Sequence, residues 1–298
     1  MIFRLAHLSD AHIGPLPRPR LAELFGKRLT GFLNWHNGRY LIHDMKVLAA
    51  LVADMRAQQV DHCAMTGDIL NIGLRAEFPP ARRWLETLGT PADVSFVPGN
   101  HDVYVRSNLA LVDEYFGAWM KPDKPEGVGF PYLRIRGPVA LIGLCSGVPT
   151  APFLASGRLG KAQMAAFARL LSAPELKDMA RVVMIHHPPY KIGARFGRGL
   201  MDAPKFEKII ARYGADLIIH GHNHRESVHF LPGPHGGVPV VGVASASAVP
   251  GSPQHLAAYH VYSIEKAAQG WHISALRRGL KDGDARVHDL GALDLVRG

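Results

Sequence analysis

Apolar positions along the chain recur with two periods. The runs "FRLAHL" (3–8), "DHCAM" (61–65), "VSFV" (94–97), "RVVMI" (181–185) and "DLIIH" (216–220) are short and almost continuously apolar, as expected of strands buried on both faces. Between them the spacing lengthens. Met45, Leu48, Leu51, Val52 and Met55 fall at helical intervals within 43–59. The same pattern predicts helices over 75–88, 107–120, 160–172 and 204–213, the last opening with Pro204 near its first turn. Segments 132–137 and 139–144 read as two strands joined by Gly137 and Pro138. After residue 225 the pattern becomes one of short strands, at 226–231, 238–243, 257–264 and 270–277. Loops 121–130 and 232–237 are rich in Pro and Gly and read as surface turns. This order predicts one mixed α/β domain over 1–298, with strands in two sheets and helices outside.

Composition narrows the class. The 298 residues are 47% hydrophobic and 20% charged, which fits a folded globular chain rather than a disordered one. No apolar run approaches the roughly 20 residues of a membrane helix. The start, "MIFRLAHLSDAHIG", lacks the apolar segment and cleavage site of a signal peptide. The expectation is a cytoplasmic protein, with peripheral contact at a membrane left open. Cys63 and Cys145 both lie in apolar, strand-like stretches and read as reduced thiols. A net charge of +9 suits an anionic substrate or surface.

Five fragments share one design: "LSDAHIG" (8–14), "AMTGDILN" (64–71), "FVPGNHD" (96–102), "VMIHHPPY" (183–190) and "LIIHGHNH" (217–224). Each begins as an apolar strand and ends in Asp, Asn or His. Ligands in α/β sheets bind beyond the carboxyl ends of strands, so five such ends converge on one crevice. Asp10 and His12 are two apart, as are His222 and His224, which points each pair the same way along an extended chain. With Asp68, Asn100 and a histidine from 186–187 they make a mixed N/O donor set, suited to Mn, Fe, Zn or Ni rather than to Mg or Ca alone. Seven donors exceed one tetrahedral site but fit two metals about 3.5–4 Å apart with a bridging carboxylate. Two divalent ions against Asp10 and Asp68 leave positive charge for a phosphate, and a water between the ions would be acidic enough to attack it.

These five fragments, in this order, resemble the calcineurin-like metallophosphoesterase superfamily, whose pattern is D-x-H, G-D, G-N-H-[DE], H and G-H-x-H. The likeness runs from residue 10 to residue 224. It implies a four-layer αββα sandwich, two mixed β-sheets face to face and flanked by helices. It also implies roles. Asp10, His12 and His224 would hold one metal, Asn100, His186 and His222 the other, and Asp68 would bridge. The family's H-x-P form fits His186-His187-Pro188, so His186 is taken as the ligand and His187 as a packing or substrate-facing residue. His101 would contact the phosphate and protonate the leaving oxygen, with Asp102 supporting that turn. His7, His187 and His220 read as core or wall residues, and His36, His43, His229, His235, His255 and His260 as surface or loop.

Departures from the family narrow the substrate. "GDILNIG" lacks the arginine of the protein phosphatase form G-D-x-x-D-R-G. Segment 225–298 is short, strand-like and not notably basic, which argues against a nucleic-acid partner. The text around Asp68 is similar to bacterial phosphodiesterases of the cyclic-nucleotide and glycerophosphodiester type. A helix-like insertion at about 17–41 places Leu21, Leu24, Phe25, Leu29, Phe32 and Leu33 on one helical face, with Arg18, Arg20, Lys27, Arg28 and Arg39 around it. Two readings stand: a helix packed on its own domain or on a second copy, or a basic lid at the mouth of the site that meets lipid or a large substrate. The lid reading makes Lys27 and Arg28 free surface charges and favours a phospholipid or lipid-linked nucleotide diester. Arg195 and Arg198, in a Gly-containing stretch after His186, are candidate anion contacts. The expected activity is binuclear-metal hydrolysis of a small-molecule or lipid phosphodiester with Mn, Fe or Zn. The contrasting class is a metal-binding regulatory protein without turnover.

Overall fold

The continuous apolar runs become the parallel strands of two six-stranded sheets. The structure, a computed structural model, describes residues 2–124, 129–191, 197–249, 255–268 and 270–295. In the first sheet β1 (Phe3–Leu8), β2 (His62–Met65) and β3 (Val94–Phe96) run parallel. On the other side of β1, the strands β10 (Ala258–Lys266), β11 (Trp271–Lys281) and β12 (Asp284–Leu293) continue antiparallel, giving the order β12-β11-β10-β1-β2-β3. The second sheet contains β4 (Tyr132–Arg136), β5 (Val139–Gly143), β6 (Ala180–Met184), β7 (Leu217–His220), β8 (Ser227–Gly233) and β9 (Gly236–Gly242) in the order β4-β5-β6-β7-β9-β8. Its four inner strands are parallel.

The two-residue period of the second sheet explains the layers. Val139, Leu141, Val182, Met184, Leu217 and Ile219 join the core that contains Leu5, Leu8, Met65 and Phe96 of the first sheet. The alternate residues Ala140, Ile142, Val183, Ile185 and Ile218 join Met164 and Phe167 of α5 (Gly160–Leu171) and Phe206 and Ile210 of α6 (Ala203–Tyr213). A strand with apolar side chains on both faces is stable only between two apolar layers. On the outer side of the first sheet lie α2 (Met45–Ala57), α3 (Phe78–Leu88) and α4 (Asn108–Phe116). Helix α2 starts where the Asp44 side chain accepts from the Lys46 N–H at 2.6 Å, and it buries Val47, Leu48, Leu51, Val52 and Met55. Full burial of each such side chain contributes about 1.5–3 kcal/mol. The sheets are also joined by hydrogen bonds. The Tyr132 hydroxyl donates to the Phe96 carbonyl at 2.8 Å, and Arg134 donates to the carbonyls of Val94 and Pro91 at 2.7 and 2.8 Å.

Two parts of the fold differ from the sequence expectation. Strand β12 was not expected. It pairs with β11 through two register shifts and leaves most of its side chains exposed or half-buried, so it carries no clear alternation. The insertion is not one continuous helix. A 3-10 turn (Leu21–Leu24) ends at Phe25, Gly26 turns the chain at φ 72°, and α1 (Lys27–His36) then begins. A second 3-10 turn (Arg39–Leu41) leads into α2.

The core sets an acid limit on stability. His62 on β2 is buried, with Nε2 2.8 Å from the Ser95 hydroxyl. Burial, with Arg136 and Arg134 nearby, pushes its pKa from 6.5 down to about 3. The folded value lies below the unfolded one, so this contribution is complete above about pH 6.5 and falls by about 1.4 kcal/mol per unit towards pH 3. Replacing His62→Gln should therefore flatten the pH dependence of urea-unfolding stability between about pH 6.5 and 4 by close to one proton. Equal slopes in the two proteins would contradict it.

Candidate metal centre

Each parallel strand of interest ends at its carboxyl end in a loop that stays paired with its neighbour. Beyond β1 and β2, the N–H groups of Asp10, His12 and Ile13 donate to the carbonyls of Gly67, Asp68 and Ile69 at 2.9, 3.1 and 2.8 Å. Beyond β6 and β7, the Gly221 N–H donates to the His186 carbonyl at 3.1 Å. The loops turn inward through unusual backbone. Seven described non-glycine residues have positive φ, and five of them are Asp10, His12, Asp68, His222 and His224. Such conformations cost of order 1–3 kcal/mol each and persist only where the surroundings impose them. Glycine makes the close approach possible. A Cβ on Gly99 would collide with the Asp68 carboxylate and the His186 ring, and one on Gly221 with Ser9 and Asp10.

The seven donor residues are brought together, all buried or nearly so. The His12 Nδ1–H donates to the Leu70 carbonyl at 3.0 Å, leaving the Nε2 lone pair 3.3 Å from His224 Nε2. His224 Nε2 lies 3.1 Å from Asp10 Oδ1. Nearby, the His186 Nδ1–H donates to the Thr66 carbonyl at 2.6 Å, and its Nε2 stands 3.2 Å from both Asp68 Oδ2 and Asn100 Oδ1. His222 Nε2 donates to the Arg198 carbonyl at 2.8 Å, which leaves Nδ1 as its donor atom. Asp68 has a ligand atom within 4.8 Å of those of Asp10 and His12, and it also faces His186. It therefore touches both clusters. Lone pairs packed this closely fit a cation between them, and the N/O donor set suits a transition metal.

Charge balance reads the same way. Burial would raise the Asp68 carboxyl, but His186, His101 and His12 hold it well below the usual carboxylate range. Asp10 is lowered despite its burial by His224 and His186. In return, Asp68 overcomes burial and pushes His186 up to about 9. A proton on His186 thus balances Asp68 in the metal-free chain, and a metal would have to displace it.

His101 and Asp102 occupy the same turn. The His101 N–H donates to Asp68 Oδ1 at 2.7 Å, and its Nδ1–H donates to the Asn71 carbonyl, so Nε2 is the ring atom left for a ligand. The Asp102 carboxylate accepts from the N–H groups of Asp68, Ile69, Leu70 and Gly99 at 2.8, 3.0, 3.1 and 2.8 Å. It clamps the loop after β2 to the loop after β3. His187 has a ring nitrogen grouped with those of His186 and His222, within 4.8 Å of one another, but its Nδ1 lies 2.8 Å from the Ser146 hydroxyl and its Nε2 3.0 Å from the Ala155 carbonyl. Arg198 is exposed and lines a cavity of about 430 Å³ with Asp68, Asn100, His101, His222 and His224, and Arg195 lies outside the described residues.

Three sequence expectations need correction or addition. Lys27 and Arg28 are not free lid charges. Lys27 is buried, with Nζ 2.5 Å from the Thr150 hydroxyl and over the Tyr104 ring, and burial pushes its pKa down to about 8. Arg28 donates to the Gly73 carbonyl and to Asn108 at 2.6 and 2.9 Å. Both fasten the insertion to the domain. His43 was read as surface or loop, yet it is buried with its ring 4.6 Å from that of His12. Its Nδ1 lies 2.8 Å from the Ser247 hydroxyl while Nε2 has no partner, and with His12 and His224 it forms a group able to hold a metal. Arg39 reaches from the insertion to put Nη2 3.1 Å from His12 Nε2. No spacing marks either residue, because Arg39 opens the second 3-10 turn and His43 lies between that turn and α2.

Two stacked mixed sheets with an Asp, Asn and His cluster at their shared strand ends define a metal-centred phosphoesterase architecture. A family model for calcineurin-like phosphoesterases matches residues 3–226, and the chain belongs to that family. A Synechococcus protein named "Probable cyclic nucleotide phosphodiesterase" is 30% identical over 183 residues, 59% of this chain, and the match spans 63% of that relative's length. Among solved structures, a dimetal phosphatase from Danio rerio superposes with a TM-score of 0.61 at 14% identity, covering 97% of this chain and 98% of that one. A purple acid phosphatase from yellow lupin gives 0.60 at 14% identity, covering 97% of this chain and 53% of that one. At these identities the two structures speak to the fold alone.

The clamp at Asp102 is testable. In Asp102→Asn an amide NH₂ would face N–H donors, which loosens two ligand loops at once. Metal affinity measured by calorimetry should fall by about 10–100-fold, the usual cost of losing a group that orients ligands. Unchanged affinity in a variant of unchanged stability would contradict the clamp.

Proposed function

We propose that the chain is a binuclear-metal-dependent phosphodiesterase acting on a small diester of the cyclic-nucleotide or glycerophosphodiester kind. The observation that carries this is the position of Asp68. It touches both donor clusters, and His101 lies on the loop hydrogen-bonded to it. Asp10, His12 and His224 would hold one ion and Asn100, His186 and His222 the other, with Asp68 between. Bound there, two such ions supply Lewis-acid charge for the phosphoryl oxygens and acidify water.

The chain's own residues do the rest. Arg39 and Arg198 line the cavity beside His101 and offer a phosphate positive charge and hydrogen-bond donors. The volume, about 430 Å³, falls in the range of small-molecule sites and suits a nucleotide-sized diester. Burial and Arg39 push the His101 pKa down to about 3, so its ring is neutral before substrate arrives. An anionic phosphate beside Nε2 favours uptake of a proton there from solvent, which His101 would then give to the leaving oxygen as its bond to phosphorus breaks. The relative named for cyclic nucleotides supports the substrate class. All seven donor positions are filled, which favours turnover over a purely regulatory role. A second reading, a lipid-linked diester, is favoured by Phe153 and Leu154, exposed and lining an adjoining cavity with His101 and Arg198.

For His101→Ala the expectation is retained metal content and fold, with a rate loss of ~10²–10⁴-fold on an alkyl diester. The loss should shrink for a p-nitrophenolate leaving group, which needs little protonation. An equal loss on both would remove the proton-donor role. A panel of cyclic nucleotides, glycerophosphodiesters, lipid-linked diesters and monoesters tests the class, and turnover of monoesters alone would overturn it.

A further inference from the structure

The insertion packs Phe32 and Trp35 inward but leaves much of its apolar stripe uncovered. Its α1 helix turns Lys27 and Arg28 towards the domain and leaves Leu29 and Leu33 46% and 53% exposed. Leu21 and Phe25, just before it, are 88% and 83% exposed. Of the 12 large apolar side chains exposed among the described residues, eight lie at 21–41 and 153–154. Phe153 and Leu154 line one cavity with Lys27, Thr30 and Asn34 of α1, with His101 and Arg198 beside them, while Leu29 and Leu33 lie on another face of the helix, away from that lining. Phe153 itself sits at φ 65° and is 88% exposed. A bulky residue in the left-handed region is costly, and burial within this chain does not repay it. Large apolar side chains left exposed in two neighbouring segments are what an interaction surface presents.

Charge selects the occupant. Of the cations in segment 17–43, Lys27 and Arg28 are held by the domain and Arg39 by the cavity, which leaves Arg18 and Arg20 at the surface against one acid, Glu23. Arg18 and Arg20 are exposed beside Leu21 and Phe25. A second copy of this chain would bring the same positive surface and a net charge of +9, and would be repelled. An anionic bilayer supplies both the negative charge and the apolar depth. We infer that the insertion and the 153–154 loop form a docking face for an anionic lipid surface, seating the mouth of the catalytic cavity on the membrane. Binding to the surface does not depend on the phosphodiesterase reading. Presentation of a lipid-linked diester to the site does rest on it.

The test is co-sedimentation of the full-length, metal-loaded protein with vesicles of phosphatidylcholine alone and of phosphatidylcholine with phosphatidylglycerol. The wild type should bind the anionic vesicles and leave the neutral ones largely unbound. Both Phe25→Ser/Leu29→Ser and Arg18→Glu/Arg20→Glu should weaken that binding more than about tenfold. Their turnover of a soluble aryl diester should stay at the wild-type level, because none of the four residues touches the site. No binding of the wild type to anionic vesicles would overturn the proposal. So would binding that survives both double substitutions, or a dimer in solution that the Phe25→Ser/Leu29→Ser change dissolves. Loss of soluble diester turnover in the wild type would instead count against the phosphodiesterase reading and leave the docking result intact.

Discussion

The Asp102 carboxylate accepts four backbone N–H groups, three from the loop that carries Asp68 and one from the glycine beside Asn100. Removing a charged acceptor from buried donors costs far more than the net worth of one hydrogen bond. Burial and the neighbouring Asp68 push its pKa up to about 7, and the N–H groups pull the other way. That opposition is informative. The buried Asp102 carboxylate, beside another at Asp68, organises two loops, and those loops bring Asp68, Asn100 and His101 together. The strained backbone of Asp10, Asp68 and His222 is held by contacts of the same kind, with the His222 N–H donating to Asp10 at 3.0 Å.

The sheets supply the other half of the arrangement. Three loops come from the first sheet and two from the second, so the site exists only where the two sheets are stacked with their parallel strands ending at one edge. Tyr132 and Arg134 bond one sheet to the other next to β3, which fixes that edge. The insertion then closes the open side, anchored by Lys27 and Arg28 and contributing Arg39 to the cavity. Family features thus hold the donor cluster, while a segment outside the family motifs shapes what can reach it.

Much of this was legible in the sequence because the chemistry is local. Asp10, His12, Asp68, Asn100, His186, His222 and His224 each end a buried strand, and strand ends are readable from apolar runs. The H-x-P form pointed to His186 over its neighbour, and hydrogen bonding agrees: His186 faces Asp68, while His187 is bonded to Ser146 and Ala155. His43 and Arg39 were not legible, since a turn whose direction no period encodes brings them in. The direction in which α1 turns its stripe was left open for a related reason, and Lys27 and Arg28 turn inward rather than to solvent. An apolar stripe says which residues share a face, not whether that face turns to the core. The strand β12 escaped because an exposed edge strand with register shifts has no alternation to read.

The central claim is that two metal ions lie in this cluster with Asp68 between them. Crystals of the metal-loaded protein, measured at the absorption edges of Mn, Fe and Zn, test it directly. The account predicts two anomalous peaks, one beside Asp10, His12 and His224 and one beside Asn100, His186 and His222, each within bonding distance of an Asp68 oxygen. A fully loaded crystal with a single peak, or with none near Asp68, would contradict it.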